Sequence, residues 1–246
     1  MAKPAQTPSQ RFRQAITAFN AGRLIEAEHT CQRIINAKGE SFEVLHLLAA
    51  AQTRLGKKAA ALANYDRALA LRPNVAEALC NRGLTLHELK RFGEALADYD
   101  RALAVRPNFA EAFYNRGNTL KELKRFAEAL ASYDRALSLR PEYGEAHNNR
   151  GNALKELNRL EEALASYDRA LGLRPDYAEA HGNRGLALKQ FGRLSEARAA
   201  LEQAVELAPK KAKYRRDLGN IARFVAGDGH LVALERLVEE LSLIHI

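Results

Sequence analysis

A 34-residue unit repeats along most of this 246-residue chain and constrains its fold more than any other feature. Four consecutive copies, beginning at Ala76, Ala110, Gly144 and Ala178, align without a gap and read close to AEAxxNRGxxLKELxRxxEALASYDRALxLRP. Self-similarity at such a period marks a stacked array in which each unit touches mainly its neighbours, not a compact enzyme core. The expectation is a protein that holds something rather than transforms it.

Numbering each unit from 1, with Ala110 as position 1, separates residues by task. Position 8 is Gly83, Gly117, Gly151 and Gly185; position 20 is Ala95, Ala129, Ala163 and Ala197; position 27 is Ala102, Ala136, Ala170 and Ala204. Small residues at these places let two antiparallel helices pack closely. Position 24 is Tyr99, Tyr133, Tyr167 and Leu201, read as large residues filling the space between repeats. Pro107, Pro141, Pro175 and Pro209 hold position 32. Proline lacks a donor and disfavours helix at the residue before it, so it ends a helix there. Each unit therefore reads as helix A over about positions 1–14, a short turn, and helix B over about 18–31, with apolar residues at helical spacing in both.

Two weaker copies precede these, at 8–41 and 42–75, making six units over 8–211. Residues 1–7 read as a disordered N-terminus, and 212–240 as a degenerate capping helix pair or linker. Its first helix is expected at Ala212–Val225 and its second from about His230 to Leu241. Terminal repeats are expected to be atypical because they cap the stack.

Composition narrows the possibilities. Cys31 and Cys80 are the only cysteines, with no CxxC and no His-rich metal spacing, so neither a disulfide framework nor a metal is expected. Cys31 falls on packing position 24 and reads as a small buried hydrophobe. The N-terminus lacks the apolar core of a secretory signal, and no stretch has the roughly 18 apolar residues a membrane span needs. The chain reads as soluble and cytoplasmic, with no membrane partner. The net charge of +8 is spread thinly rather than gathered on a face. Nucleic-acid binders concentrate Lys and Arg, often with stacking aromatics, so nucleic acid stands last among the partners considered.

The repeat resembles the tetratricopeptide repeat (TPR), whose pattern is W-x2-L-G-x2-Y, then A-x3-F, then P. In the copy at Ala110 the matching residues are Phe113, Arg116, Gly117, Leu120, Ala129, Tyr133 and Pro141. The resemblance implies an all-α, right-handed superhelical solenoid of stacked antiparallel helix pairs. One departure stands out: position 7 is Arg82, Arg116, Arg150 and Arg184, where the family usually has Leu. A buried arginine needs a polar partner, and the Asp repeated at position 25 (Asp66, Asp100, Asp134, Asp168) is the candidate.

In TPR arrays helix A lines the concave groove, with positions 2, 5, 6, 9, 12 and 13 facing it. Position 6 is Asn81, Asn115, Asn149 and Asn183. A side-chain amide donates and accepts, so one per repeat could hold an extended peptide with little dependence on its sequence. These four residues resemble the asparagine ladder of eukaryotic O-GlcNAc transferases. An alternative is that they were inherited by duplication or bond only to neighbouring helices. Position 12 (His87, Lys121, Lys155, Lys189) beside position 13 (Glu88, Glu122, Glu156, Gln190) makes a mixed polar floor. That floor is either a solvated face or an attractor of acidic groups. Position 5 (His46, Cys80, Tyr114, Asn148, Gly182) varies and reads as the specificity position, with Tyr114 and Asn148 as contact candidates. It lacks the lysine that TPR arrays clamping chaperone C-termini carry there.

No phosphate-cradling loop, GxSxG or HExxH motif is present, so no cofactor and no intrinsic catalysis are expected. Two readings of function remain. One is a scaffold holding a protein or extended peptide. The other is the docking arm of a truncated transferase. Lys213–Glu240, with RFVAGDGHLVALERL, resembles the stretch joining TPR arms to a sulfotransferase domain in bacterial TPR-sulfotransferases, and the repeat style resembles the arms of bacterial TPR-glycosyltransferases. The final residues 241–246, LSLIHI, look like a translated transposon end, hence a non-native tail on a fragment.

Overall fold

The computed structural model describes residues 7–227. They form thirteen helices and, among the described residues, no strand. The chain divides after Thr119 into two compact units.

The first unit holds α1 (Pro8–Asn20), α2 (Leu24–Lys38), α3 (Phe42–Arg54), α4 (Lys58–Leu71), α5 (Ala76–Glu88) and α6 (Phe92–Val105). Helix α7 (Ala110–Glu122) runs across the boundary. The second unit continues with α8 (Phe126–Leu139), α9 (Gly144–Glu156), α10 (Leu160–Leu173), α11 (Ala178–Gln190), α12 (Leu194–Leu207) and α13 (Ala212–Gly227). Helices A and B thus span positions 1–13 and 17–30 of the regular repeats, within one residue of the boundaries read from sequence.

Local chemistry sets those ends. The residue before each proline is extended, as at Arg72 (φ −138°, ψ 92°), Arg106 (−132°, 91°) and Arg174 (−143°, 91°). That is the conformation a following proline ring enforces. Helix α2, followed by no proline, runs on to Lys38 and stops at Gly39, whose φ is +83°. The A–B turn needs a left-handed residue at position 15. Glycine supplies it at Gly22, Gly56 and Gly192, asparagine at Asn158 (φ +58°), and lysine, against its preference, at Lys90 (+60°) and Lys124 (+58°).

Alanine dominates the helix contacts. Ala61, Ala95, Ala129, Ala163 and Ala197 at position 20 have no exposed surface, nor have Ala68, Ala102, Ala136, Ala170 and Ala204 at position 27. Against these, Tyr65, Tyr99, Tyr133 and Tyr167 are the largest fully buried side chains. Their place differs from the sequence expectation. A Cβ on Gly83 would lie 2.8 Å from Tyr99 Cε1, and one on Gly151 2.6 Å from Tyr167 Cε1. The ring therefore sits between helices A and B of its own repeat, and the glycine at position 8 exists to receive it.

The arginines at position 7 pair as expected. Arg82, Arg116, Arg150 and Arg184 meet Asp66, Asp100, Asp134 and Asp168 of the preceding repeat at 2.7, 2.8, 2.6 and 2.7 Å. Each salt bridge ties one repeat to the next where other TPRs pack a leucine. The second repeat, with no Asp before it, keeps Leu48 at this position, 1% exposed. Arg82 reaches further, to the buried Asp98 of its own repeat, through Nε at 2.7 Å and Nη2 at 2.5 Å. Arg150 instead donates to Ser166 Oγ at 2.6 Å.

The chain ends need two remarks. Residues 1–6 lie outside the described residues, but Thr7, assigned from sequence to a disordered terminus, is the N-cap of α1. Its Oγ1 accepts from Gln10 N at 3.3 Å, and its own N–H donates to Gln10 Oε1 at 2.9 Å. The expected first capping helix is α13, while the expected second one and the tail at 241–246 lie outside the described residues.

Candidate functional site

The candidate site is the row of side chains along the A helices, α5 and α7 in the first unit, α9 and α11 in the second. The position-6 asparagines recur because helix A restarts at the same place in every repeat. Where their neighbours can be traced, the amides do one common thing. Asn81 Nδ2 lies 3.2 Å from His46 Nε2, Asn115 Nδ2 donates to Cys80 Sγ at 3.7 Å, and Asn183 Nδ2 donates to Asn148 Oδ1 at 3.0 Å. In each case position 6 meets position 5 of the preceding repeat. Among the described residues nothing donates to Oδ1 of Asn115 or Asn183. Asn149 Oδ1 instead accepts from Asn148 Nδ2 at 3.3 Å.

Position 5 therefore sits differently from its sequence reading as an open specificity position. Cys80 is 2% exposed and Asn148 has no exposed surface. Gly182 is buried too, with the Tyr214 ring packed where its Cβ would be, 2.6 Å from Cε1. Asn148 thus reaches a groove ligand only through its neighbours, whereas Tyr114 and His46 are half-buried. The physical reason is the repeat-to-repeat contact: the side chain at position 5 is covered by positions 3 and 6 of the next helix A.

Burial tunes the titratable groups nearby. It holds the His46 imidazole below its usual value, against the opposing pull of Glu77. It pushes the Cys31 and Cys80 thiols up to about 12. Cys31 is the buried hydrophobe its position suggested.

At position 12, His87 Nδ1 lies 2.9 Å from Thr119 Oγ1, whose proton goes to the Asn115 carbonyl at 3.0 Å. His87 is therefore the donor of that pair. Lys155 pairs with Glu156 at 3.1 Å. Lys121, Lys155 and Lys189 are half-buried along the row.

The row carries one feature not singled out from sequence. Glutamates at position 2 are held by the arginine at position 31 of the same repeat: Glu43 with Arg72 at 2.7 Å, Glu77 with Arg106, and Glu145 with Arg174 at 2.9 Å. The signal was present, since Glu and Arg recur 29 residues apart.

Among the described residues, no helix is long and apolar enough to cross a membrane, and no three His, Cys, Asp or Glu side chains gather as a metal site would require. Stacked helix pairs with a polar row along their A helices define a protein-interaction scaffold. Sequence models of the tetratricopeptide repeat match residues 76–109, 110–143, 132–165 and 178–211, and a further TPR repeat model matches 49–90 and 151–192. These matches run unbroken from 49 to 211, and the chain belongs to the TPR family.

No curated protein sequence matches it. Among solved structures, it is similar to pilF of Pseudomonas aeruginosa (TM-score 0.76, 20% identity, covering 87% of this chain and 97% of that one). It is similar also to a tetratricopeptide repeat protein from Parabacteroides merdae (TM-score 0.74, 21% identity, 94% and 91%). A third, YrrB, described as a TPR protein with an unusual peptide-binding site, matches at TM-score 0.63 and 24% identity over 76% of this chain and 96% of its own. At these identities the likeness is one of fold.

Proposed function

We propose that this scaffold is non-enzymatic and holds an extended polypeptide along its position-6 asparagines. One observation carries the reading: the Asn115 and Asn183 amides bond to the preceding repeat through Nδ2, and no described residue donates to their Oδ1. An extended chain presents backbone N–H groups as donors of the kind these carbonyls accept. The peptide-binding site ascribed to YrrB gives the reading a precedent on the same fold.

Asn115 gives the cleanest test, because its internal contact, to a thiol at 3.7 Å, is the weakest of the set and contributes little to folding. Affinity for a random extended-peptide library, read by fluorescence polarisation, should fall about tenfold in Asn115→Ala, the loss of one or two hydrogen bonds, with the melting temperature kept. Unchanged affinity in Asn115→Ala/Asn149→Ala rejects the asparagine row as the binding element.

A further inference from the structure

The last regular repeat breaks the pairing that the others keep. Glu43, Glu77 and Glu145 each face an arginine at position 31, but the residue that would serve Glu179 is Ala208. Glu179 is exposed, and its one described contact is Asn148 Nδ2, 3.5 Å from Oε1. That contact orders the polarity of what surrounds it. A carboxylate only accepts, so Asn148 must turn its NH2 toward Glu179. Its carbonyl then faces Asn183, which must answer with its own NH2 at 3.0 Å. Asn183 is left presenting a carbonyl oxygen. Glu179 and Asn183 are four residues apart on α11, on the same face, one turn from each other. Both outward groups are acceptors, and one of them is charged.

A second, independent observation lies on α13. Asp217 occupies position 6 there, in register with Asn183. Its side chain is 12% exposed, and Oδ2 is buried with no hydrogen-bond partner. Arg216 approaches only Oδ1, at 3.8 Å, from the solvent side. An isolated buried carboxylate oxygen is costly, and a bound donor relieves that cost. Tyr214 links the two: its ring packs on Gly182, and its hydroxyl is pushed up by burial first and then by the nearby charges of Glu179 and Asp217.

We propose that Glu179, Asn183 and Asp217 form a cation subsite in the second unit, which takes the guanidinium or ammonium group of a basic side chain on the bound polypeptide. The vacancy left by Ala208 is matched in other repeats by an arginine of the chain itself, so an arginine of the partner is the group of the right shape. Its planar fork can serve the carboxylate and the amide carbonyl together. The proposal rests on the peptide-holding reading and specifies its partner: a chain with a basic residue.

The test uses the full chain and a fluorescein-labelled alanine-rich octapeptide carrying one central residue: arginine, lysine, citrulline or glutamate. Citrulline keeps the size of arginine and removes its charge. The arginine peptide should bind about tenfold tighter than the citrulline peptide, as expected when a charge-assisted contact replaces a neutral one. That preference should vanish in Glu179→Gln and in Ala208→Arg, which supplies the missing internal partner, and persist in Glu202→Gln, on another helix. Circular dichroism confirms that each variant is folded, and Ala208→Arg leaves every acidic residue in place. Equal binding of the arginine and citrulline peptides to the native chain overturns the subsite while leaving the peptide reading intact. So does a preference that survives both variants. Binding of none of the peptides overturns both.

Discussion

Replacing the arginine at position 7 by the leucine usual in TPRs should give very different results in different repeats. Arg184 meets only Asp168, whose side chain is 56% exposed, so Arg184→Leu leaves a solvated carboxylate behind. Surface pairs of this kind are worth about 0–1 kcal/mol, and the loss should lower the melting temperature by at most about 2–4 °C. Arg82 meets Asp66, which is equally exposed, but also grips Asp98, whose side chain is 3% exposed, through two nitrogens. Arg82→Leu strands that carboxylate in the core. Removing one partner of a buried pair costs about 3–5 kcal/mol, which here corresponds to roughly 6–15 °C. The neighbouring repeats supply the compensation. Position 23 is Asp98 in one repeat, Ser132 and Ser166 in the next two, and Ala200 in the last. Arg82→Leu/Asp98→Ala should therefore recover most of the loss, and Asp98→Ser alone should be mild, because Ser166 already serves Arg150 this way. Urea and thermal denaturation of the four variants, followed by circular dichroism, measure this. Equal losses for Arg82→Leu and Arg184→Leu, or no rescue in the double variant, would refute the argument that burial of the partner decides the cost.

Other perturbations probe the local rules. Lys124→Gly should stabilise the chain by about 0.5–1 kcal/mol. Relief of a left-handed lysine is worth about 1–2 kcal/mol, and the extra unfolded freedom of glycine takes back about 0.5–1; a lower urea midpoint would sink the idea. Gly151→Ala should cost about 1–3 kcal/mol, because the new Cβ would lie 2.6 Å from the fully buried Tyr167 ring, and a wild-type midpoint would show that the ring can yield. Cys31 and Cys80, with thiols pushed up to about 12 by burial, should resist a disulfide reagent at pH 8 until urea is added. Their folded values lie above the unfolded one, so the stability they contribute is complete below about pH 8.5 and declines as pH rises toward 12. Rapid labelling of the native chain would contradict their burial.

Helix pairs, their boundaries and their caps were legible in the sequence because each depends on contacts within about one repeat. Pro107 ends α6 through the residue beside it, and Gly83 faces Tyr99 sixteen residues on within one helix hairpin. The Arg–Asp link between positions 7 and 25 was legible too. A buried charge needs a partner, and only one acidic position repeats in step with the arginines. Even there the sequence did not show that Asp98 lies in the core while Asp168 lies in water.

The site was less legible. The asparagines at position 6 repeat visibly, yet nothing in their spacing tells a ligand-facing amide from one bonded across repeats. Tertiary structure decided that by bringing Asn183 to Asn148, 35 residues away, and by closing position 5 beneath the next helix. It decided the polarity of the amides as well, because a carboxylate at Glu179 fixes which end of Asn148, and then of Asn183, turns outward. A repeat states which residue types recur. Which atom of each is still available depends on the neighbour that stacking places against it, and that distance is set by packing between repeats rather than by the chain within one.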